Sequence, residues 1–280
     1  MEVDAATRKV RVPDFLAMKA RGERITMLTA YDYTMARLID AAGIDAILVG
    51  DSVGNVHLGY STTLPVTMEE MLHHTRAVCR GVRRALVVAD LPFLSFQVDP
   101  LEAVRNAGRI LKEGGADAVK IEGGQIVLPA VRHMVQIGIP VMGHLGLTPQ
   151  SVHKFGGFRV QARSREAAKA LLEDALALED AGAFSIVLEG VPSDVAAEVT
   201  SQLRIPTIGI GAGPACDGQV LVCYDALGMF EDFKPKFVKR FAKLGEEIRR
   251  AVAEYCKGVR EGTFPDLEHS YGPLEKTEEK

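Results

Sequence analysis

The sequence predicts an α/β protein of the (β/α)8 TIM-barrel class. Three observations carry that prediction. First, short apolar runs alternate with amphipathic segments seven or eight times along the 280 residues. Second, the runs are apolar throughout, so both faces need cover, which a parallel sheet wrapped by helices provides. Third, run after run ends on polar groups: Ala46 to Gly50 on Asp51 and Ser52, Val87 to Ala89 on Asp90, Ala118-Val119 on Lys120 and Glu122, Val141 to Gly143 on His144, Ile186 to Leu188 on Glu189. In a closed barrel the strand C-termini share one rim, so Tyr31, Asp51, Asp90, Lys120, Glu122, His144 and Glu189 are expected to converge there. A doubly wound sheet usually has fewer units, and no Gly-x-Gly-x-x-Gly follows the first strand.

The elements follow in order. Pro13 to Arg21 reads as a short helix, with proline where its missing N–H costs little. Ile25 to Thr29 is the first strand and Thr34 to Ala42 a helix stopped by Gly43. Ala46 to Gly50 is the second strand. The loop over 51–66, rich in Gly, Ser and Thr, is long enough to suggest function. Thr67 and Glu70 form a capping box for a helix to Arg80. Leu86 to Asp90 is the third strand and Leu101 to Glu113 a helix closed by Gly114-Gly115. Ala118 to Glu122, the helix Ile126 to Gln136, and Pro140 to His144 come next. A second long polar loop, 147–163, precedes a helix from Arg165 to Asp180 capped by Ser164. Phe184 to Glu189 is the sixth strand. Ser193 caps a short helix to Leu203, Pro206 to Ile210 is the seventh strand, and Val220 to Val222 is a short eighth. Phe233 to Val259 reads as one long amphipathic helix. No linker divides the chain, so a single barrel over residues 1–262, N-terminal helix included, is expected, with a charged tail over 263–280.

Composition narrows the function. The hydrophobic fraction of 47% and the charged fraction of 25% are those of a globular protein. A net charge of −4 offers no footprint for nucleic acid or anionic membrane. No run approaches the roughly 18 apolar residues of a membrane span, and the polar start of the chain does not read as a signal peptide, so a cytoplasmic location is expected. Cys79, Cys216, Cys223 and Cys256 are scattered and read as reduced thiols.

Asp51, Asp90 and Glu122 at one rim would repel one another without a positive partner. They are oxygen donors with no accompanying Cys or His cluster, which favours a hard cation, Mg²⁺ before Zn²⁺. Each alone could equally be a strand-end cap. Lys120 and Glu122 are two apart on a strand and face the same side. Lys120 suits a substrate carboxylate, and also suits a counterion role for the acids. His144 could hydrogen-bond an enolate oxygen or carboxylate, or be a structural group. Glu189 stands apart from the metal group and is the best candidate for a general base. The Gly209 to Gly213 segment could bind an anion through its N–H groups or serve close packing.

The chain resembles the ketopantoate hydroxymethyltransferase family from about Val12 to about Pro265. The resemblance is carried by Met27-Leu-Thr-Ala-Tyr-Asp32, Val49-Gly-Asp-Ser-Val-Gly-Asn55, Thr63-Leu-Pro-Val-Thr67, Ala89-Asp-Leu-Pro-Phe93, Val119-Lys-Ile-Glu-Gly123, Gly143-His-Leu-Gly-Leu-Thr-Pro-Gln150, and Ile208-Gly-Ile-Gly-Ala-Gly-Pro214 with Asp217-Gly-Gln-Val220. It departs at Ala162, where the family pattern leads one to expect glycine. The resemblance implies a barrel of the phosphoenolpyruvate/pyruvate superfamily, Mg²⁺, 5,10-methylenetetrahydrofolate as co-substrate, a homo-oligomer that is often a decamer, and a place in pantothenate and coenzyme A synthesis. It implies Asp51 and Asp90 as metal ligands, Glu122 in or just behind the metal shell, Ser52 and Lys120 as oxo-acid-binding groups, and Glu189 as proton acceptor. Substrate contacts are thus expected from Asp51, Ser52, Asp90, Lys120 and His144. The implied reaction is hydroxymethyl transfer to 3-methyl-2-oxobutanoate through a Mg²⁺-stabilised enolate, giving 2-dehydropantoate. Two other readings stand beside it: a Mg²⁺-dependent lyase acting on a 2-oxo acid, and a barrel that binds a metabolite without turnover.

Overall fold

The computed structural model of the chain describes residues 8–232 and 234–272. They form two compact units: residues 8–223 with Pro235–Val238, and residues 224–232, 234 and 239–272.

The first unit is a closed barrel. Its strands are β1 (Ile25–Thr29), β2 (Ala46–Val49), β3 (Leu86–Asp90), β4 (Ala118–Glu122), β5 (Val141–Gly146), β6 (Ser185–Glu189), β7 (Thr207–Ile210) and β8 (Gly218–Leu221). Each lies beside the next in chain order, and β8 pairs with β1 in parallel to close the ring. The helices of this unit are α1 (Val12–Ala20), α2 (Tyr33–Ala41), α3 (Val53–Val56), α4 (Met68–Gly81), α5 (Pro100–Arg109), α6 (Leu128–Gln136), α7 (Val152–Phe155), α8 (Arg165–Asp180) and α9 (Ser193–Gln202). β2, β3, β4 and β7 are buried along their whole length. β1 and β8 alternate instead, and their register partners Thr26 and Gln219 are both exposed.

Strand periodicity divides the barrel interior into an apolar floor and a polar rim. The central core takes alternate residues: Ile25 and Met27, Ala46 and Leu48, Leu86 and Val88, Ala118, Met142, Val187, Ile208 and Val220. Val10 and Phe15 of the N-terminal segment join the same cluster. Phe15 meets Phe184, at the start of β6, edge to face with ring centroids 5.6 Å apart, so α1 closes the N-terminal end of the barrel. Continuing the same parity toward the strand C-termini brings Asp90, Lys120, Glu122, His144 and Glu189 to the inward side.

Local chemistry sets the helix ends as expected at two caps. The Thr67 hydroxyl accepts from Glu70 N at 3.1 Å while Glu70 Oε2 accepts from Thr67 N at 2.7 Å. The Ser164 hydroxyl accepts from Ala167 N at the start of α8. Elsewhere the structure corrects the sequence reading. The loop 51–66 contains the helical turn α3, and 147–163 contains a 3-10 turn and α7. β5 runs on to Gly146. The helix expected to Glu113 passes at Ile110 into a π-turn that ends on Gly115 in the left-handed region. Ser193 is the first residue of α9 and Pro192 its N-cap.

In the second unit, Cys223–Ala226 is a short helix begun on the last residue of the first unit, and Leu244–Glu261 is a long one, α10 and α11. The long helix therefore starts at Leu244, well after the expected Phe233, which lies outside the described residues. Pro235 stands in the intervening segment, and its ring and missing N–H oppose helix there. The chain folds back after α11: Phe264 N donates to Gly258 O, and the Phe264 ring packs against Tyr255 at 5.7 Å. The expected tail beyond residue 272 lies outside the described residues. Among the described residues no helix is long and apolar enough to cross a membrane.

Candidate active site

Register sets the neighbours at the rim. Asp90 on β3 is the partner of Lys120 on β4, and Glu122 is the partner of His144 on β5. Adjacent strands are about 4.8 Å apart, so these side chains are within reach of one another. Asp51 and Ser52 arrive differently, on the turn just past β2. Gly50 makes that turn possible, because a Cβ there would stand 2.8 Å from Ser52 Oγ and 3.5 Å from Asp90 Oδ2.

The acids, Lys120 and His144 form one continuous network, with a hydroxyl pair beside it. Asp51 N donates to Asp90 Oδ2 at 3.0 Å. Lys120 Nζ lies 3.2 Å from Asp90 Oδ1 and 3.0 Å from His144 Nδ1. His144 Nδ1 is also 3.2 Å from Glu122 Oε1, and its Nε2 faces Glu189 Oε2 at 3.2 Å. The Ser52 hydroxyl meets the Tyr31 hydroxyl at 2.9 Å. Asp51, Asp90, Lys120 and His144 are each 3–4% exposed, and the Glu189 side chain, at 15%, is the one that reaches toward solvent.

Burial makes the charges of this cluster expensive. The Asp51 carboxyl is pushed well above the usual range by burial and by the neighbouring charges of Asp90 and Glu122; Lys120 and the Gln150 amide oppose the rise. Asp90 is raised by burial, against the pull of Lys120 and of the Asp51 N–H. Glu122 is raised by burial to about 7, again against Lys120. Burial works against the Lys120 ammonium, but Asp90, Glu122 and Asp51 outweigh it and push its pKa up to about 12. His144 is lowered by burial and by Lys120, while Glu189 acts in the opposite sense. When all three buried acids are ionised, one ammonium and a neutral imidazole leave excess negative charge, which adds to burial in raising Asp51 and Asp90.

This donor set fits a hard divalent cation. Glu122 Oε1 is buried without a hydrogen-bond partner and Asp90 Oδ1 faces only the Lys120 ammonium, so acceptor capacity is present that the protein itself does not fill. Among the described residues no three His, Cys, Asp or Glu side chains close into a ready cage. Lys120 and Gln150 stand among the acids instead. Mg²⁺ does not require such a cage, since it is commonly held by one or two carboxylates with water and substrate oxygens completing its shell.

The rim residues expected from sequence come together: Asp51, Asp90, Lys120, Glu122, His144 and Glu189 belong to this network, and Tyr31 and Ser52 form a hydroxyl pair next to Asp51. The glycine segment after β7 is packed against neighbours. A Cβ at Gly209, Gly211 or Gly213 would meet Gln219, Phe237 or Ser193 at 2.9, 2.8 or 2.4 Å, respectively. Gln150 was not among the expected site residues. Its side chain reaches Asp51 at 2.8 Å and its backbone N–H reaches Glu122 at 3.1 Å. Its signals in the sequence are its place in the polar loop just past β5 and at the end of the Gly143 to Gln150 segment that carries the resemblance.

Residues 9–267 match the sequence profile of the family described as Ketopantoate hydroxymethyltransferase. The 3-methyl-2-oxobutanoate hydroxymethyltransferase of Moorella thermoacetica is 61% identical over 267 residues, which cover 95% of this chain and 99% of that protein. The enzyme of the same name from Syntrophus aciditrophicus is 58% identical over 271 residues, 97% of this chain and 100% of that protein. Among solved structures, 2,3-dimethylmalate lyase, a PEP mutase/isocitrate lyase superfamily member, matches with a TM-score of 0.58 at 19% identity, over 94% of this chain and 91% of that one. That last likeness concerns the barrel.

Proposed function

The chain belongs to the ketopantoate hydroxymethyltransferase family, and from that premise we propose that it transfers a hydroxymethyl group from 5,10-methylenetetrahydrofolate to 3-methyl-2-oxobutanoate, with Mg²⁺ bound, to give 2-dehydropantoate for pantothenate synthesis. Membership makes the chain a transferase; the donor, the metal and the residue roles are the proposal. The observation that carries them is the buried rim network, in which clustered carboxylates, Glu122 Oε1 among them without a hydrogen bond, adjoin a charged lysine and a more accessible glutamate.

Asp51 and Asp90 would hold the cation, with Glu122 in or just behind its shell. When bound, Mg²⁺ would draw electron density from the substrate's keto carbonyl and make the C3–H more acidic. Lys120 remains charged at neutral pH, and Asp90 and His144 occupy two of its three N–H donors. The third is available to the substrate carboxylate. The Ser52 hydroxyl, held by Tyr31, lies beside Asp51 and helps to orient the same carboxylate. Glu189 takes the C3 proton onto its carboxylate. His144 faces Glu189 and steadies it in the position to do so. The electron pair left at C3 then bonds to the one-carbon unit of the folate. Both C–N bonds to that carbon break, and water supplies the hydroxyl oxygen. Tetrahydrofolate leaves with its two nitrogens protonated by the former C3 proton and one proton of the water.

The substrates are water-soluble metabolites, which suits a cytoplasmic enzyme. We take the working form as a homo-oligomer, a decamer by family resemblance. Ile248, Val252, Tyr255 and Val259 support assembly, since they form an exposed apolar stripe on α11. The test of the chemistry is exchange of the oxo-acid C3–H with deuterated water, without folate. Exchange that requires Mg²⁺, followed by folate-dependent carbon transfer, is expected. Exchange untouched by removing the metal would overturn the metal's role. Exchange without any transfer to or from folate would favour a lyase acting on a 2-oxo acid, and no exchange at all would leave a binding protein.

A further inference from the structure

Each of the three rim acids is tied by one oxygen to an N–H group. Asp90 Oδ2 accepts from Asp51 N at 3.0 Å, Asp51 Oδ2 from Gln150 Nε2 at 2.8 Å, and Glu122 Oε2 from Gln150 N at 3.1 Å. Gln150 therefore supplies two of the three ties, one with its side chain and one with its backbone. Its amide is fully engaged. Nε2 also donates to Leu91 O at 2.9 Å, just past β3, and its oxygen accepts from Gln97 Nε2 at 2.9 Å. The Leu91 carbonyl and an ionised Asp51 can only accept, so the amide nitrogen must face them and the oxygen must face Gln97. Gln150 is 7% exposed, and nothing in the proposed reaction requires it to touch substrate.

We infer that Gln150 is a positioning residue for the divalent cation: it holds Asp51 and Glu122 in the arrangement that binds the ion, while leaving Glu122 Oε1 without a hydrogen bond. A neutral amide suits this task. It donates to Asp51 without bringing a positive charge that would compete with the cation, as a second lysine or an arginine would. It also joins the segments after β3 and β5 to the turn after β2, so three strand ends are set relative to one another by one side chain. This inference rests on the proposed metal role of Asp51, Asp90 and Glu122.

The test is Mn²⁺ binding followed by electron paramagnetic resonance, with no substrate and no turnover. Gln150→Met keeps the bulk of the side chain and removes its donors. Its Mn²⁺ dissociation constant is expected to rise by about tenfold or more, the size typical of losing a group that orients a ligand. The spectrum of the bound ion should change as well, which a role in folding alone would not cause. Gln97→Met alters an exposed side chain and releases only the far end of the amide, so a rise of about threefold is expected. An unchanged constant in folded Gln150→Met overturns the inference. If that variant does not fold, an unchanged constant in Gln97→Met overturns it. If wild-type protein binds no Mn²⁺, the metal reading itself falls and takes this inference with it; binding by wild type with no loss in the variants isolates the failure to Gln150.

Discussion

His144 Nδ1 stands 3.0 Å from Lys120 Nζ, and this contact decides which nitrogen of His144 carries the proton. Lys120, with its pKa pushed up to about 12, is a donor at neutral pH. Nδ1 must then accept, so the ring hydrogen sits on Nε2, which faces Glu189 Oε2 at 3.2 Å. Burial and Lys120 both lower the His144 pKa, which keeps the ring neutral. Nitrogen-15 spectra of the labelled protein should show His144 protonated at Nε2 alone between pH 6 and 8 (roughly the range where a free imidazole titrates). An Nδ1–H signal would contradict the lysine contact.

The same geometry gives Glu189, the proposed proton acceptor, an oriented partner. Glu189→Gln preserves shape and removes the base. Binding of Mn²⁺ and oxo-acid should survive, while C3–H exchange into deuterated water should fall by about 10²- to 10⁴-fold, the usual contribution of a positioned base. Exchange at the wild-type rate would remove Glu189 from this role.

The metal-free protein should lose stability as pH rises. Burial raises Glu122 from its ordinary 4.5 to about 7. A carboxyl with a raised folded pKa keeps the folded state more protonated than the unfolded chain across that interval. Its contribution is fully present below about 4.5 and is lost as pH rises through about 7. In chelator, the Tm advantage of Glu122→Gln over wild type should therefore widen from about pH 5, near the lower end of that interval, to about pH 8, about one unit above its upper end. Added Mg²⁺ should shrink it, because a cation binds the ionised form. A constant difference across the range would show that Glu122 does not titrate there.

The barrel and most of its rim were legible because one periodicity governs both. Leu86, Val88 and Asp90 are spaced by two, so the parity that buries the first two also turns the third inward. Gln150 obeys no such rule. It lies in a loop, and its partner Asp51 is 99 positions away, so only the folded chain brings them together. The long last helix begins later than its amphipathic spacing suggests, because that spacing continues through residues that Pro235 and the following turns keep out of a helix.

Ala162 is a second place where local sequence and backbone disagree. It has a φ of 54°, in the left-handed region where a Cβ crowds the following carbonyl. Glycine there is the family expectation. Ala162→Gly relieves a cost of roughly 1–2 kcal/mol and adds about 0.5–1 kcal/mol of unfolded-chain entropy. A net gain of about 0.5–1 kcal/mol should appear as a higher urea midpoint at unchanged slope. A lower midpoint would mean that the alanine methyl makes compensating contacts.

Replacing one of the acids proposed to bind metal should move stability and binding in opposite directions. Asp51 is held well above the ordinary carboxylate range by burial first, then by repulsion from Asp90 and Glu122. The amide introduced by Asp51→Asn carries no charge, yet its oxygen could still accept from Gln150 Nε2, which now serves Asp51 at 2.8 Å. The repulsion disappears while the main tie remains. Metal-free Asp51→Asn should therefore melt above metal-free wild type, by a few degrees if about 1 kcal/mol is recovered. Its Mn²⁺ dissociation constant should rise by about tenfold or more, since an anionic oxygen donor has been replaced by a neutral one. Asp90→Asn should lose binding too but gain less stability, because it also breaks an ion pair with buried Lys120 at 3.2 Å. If both variants bound Mn²⁺ as tightly as wild type, neither acid would be a ligand. If Asp51→Asn melted below wild type without metal, the excess negative charge at the rim would not be the strain described above.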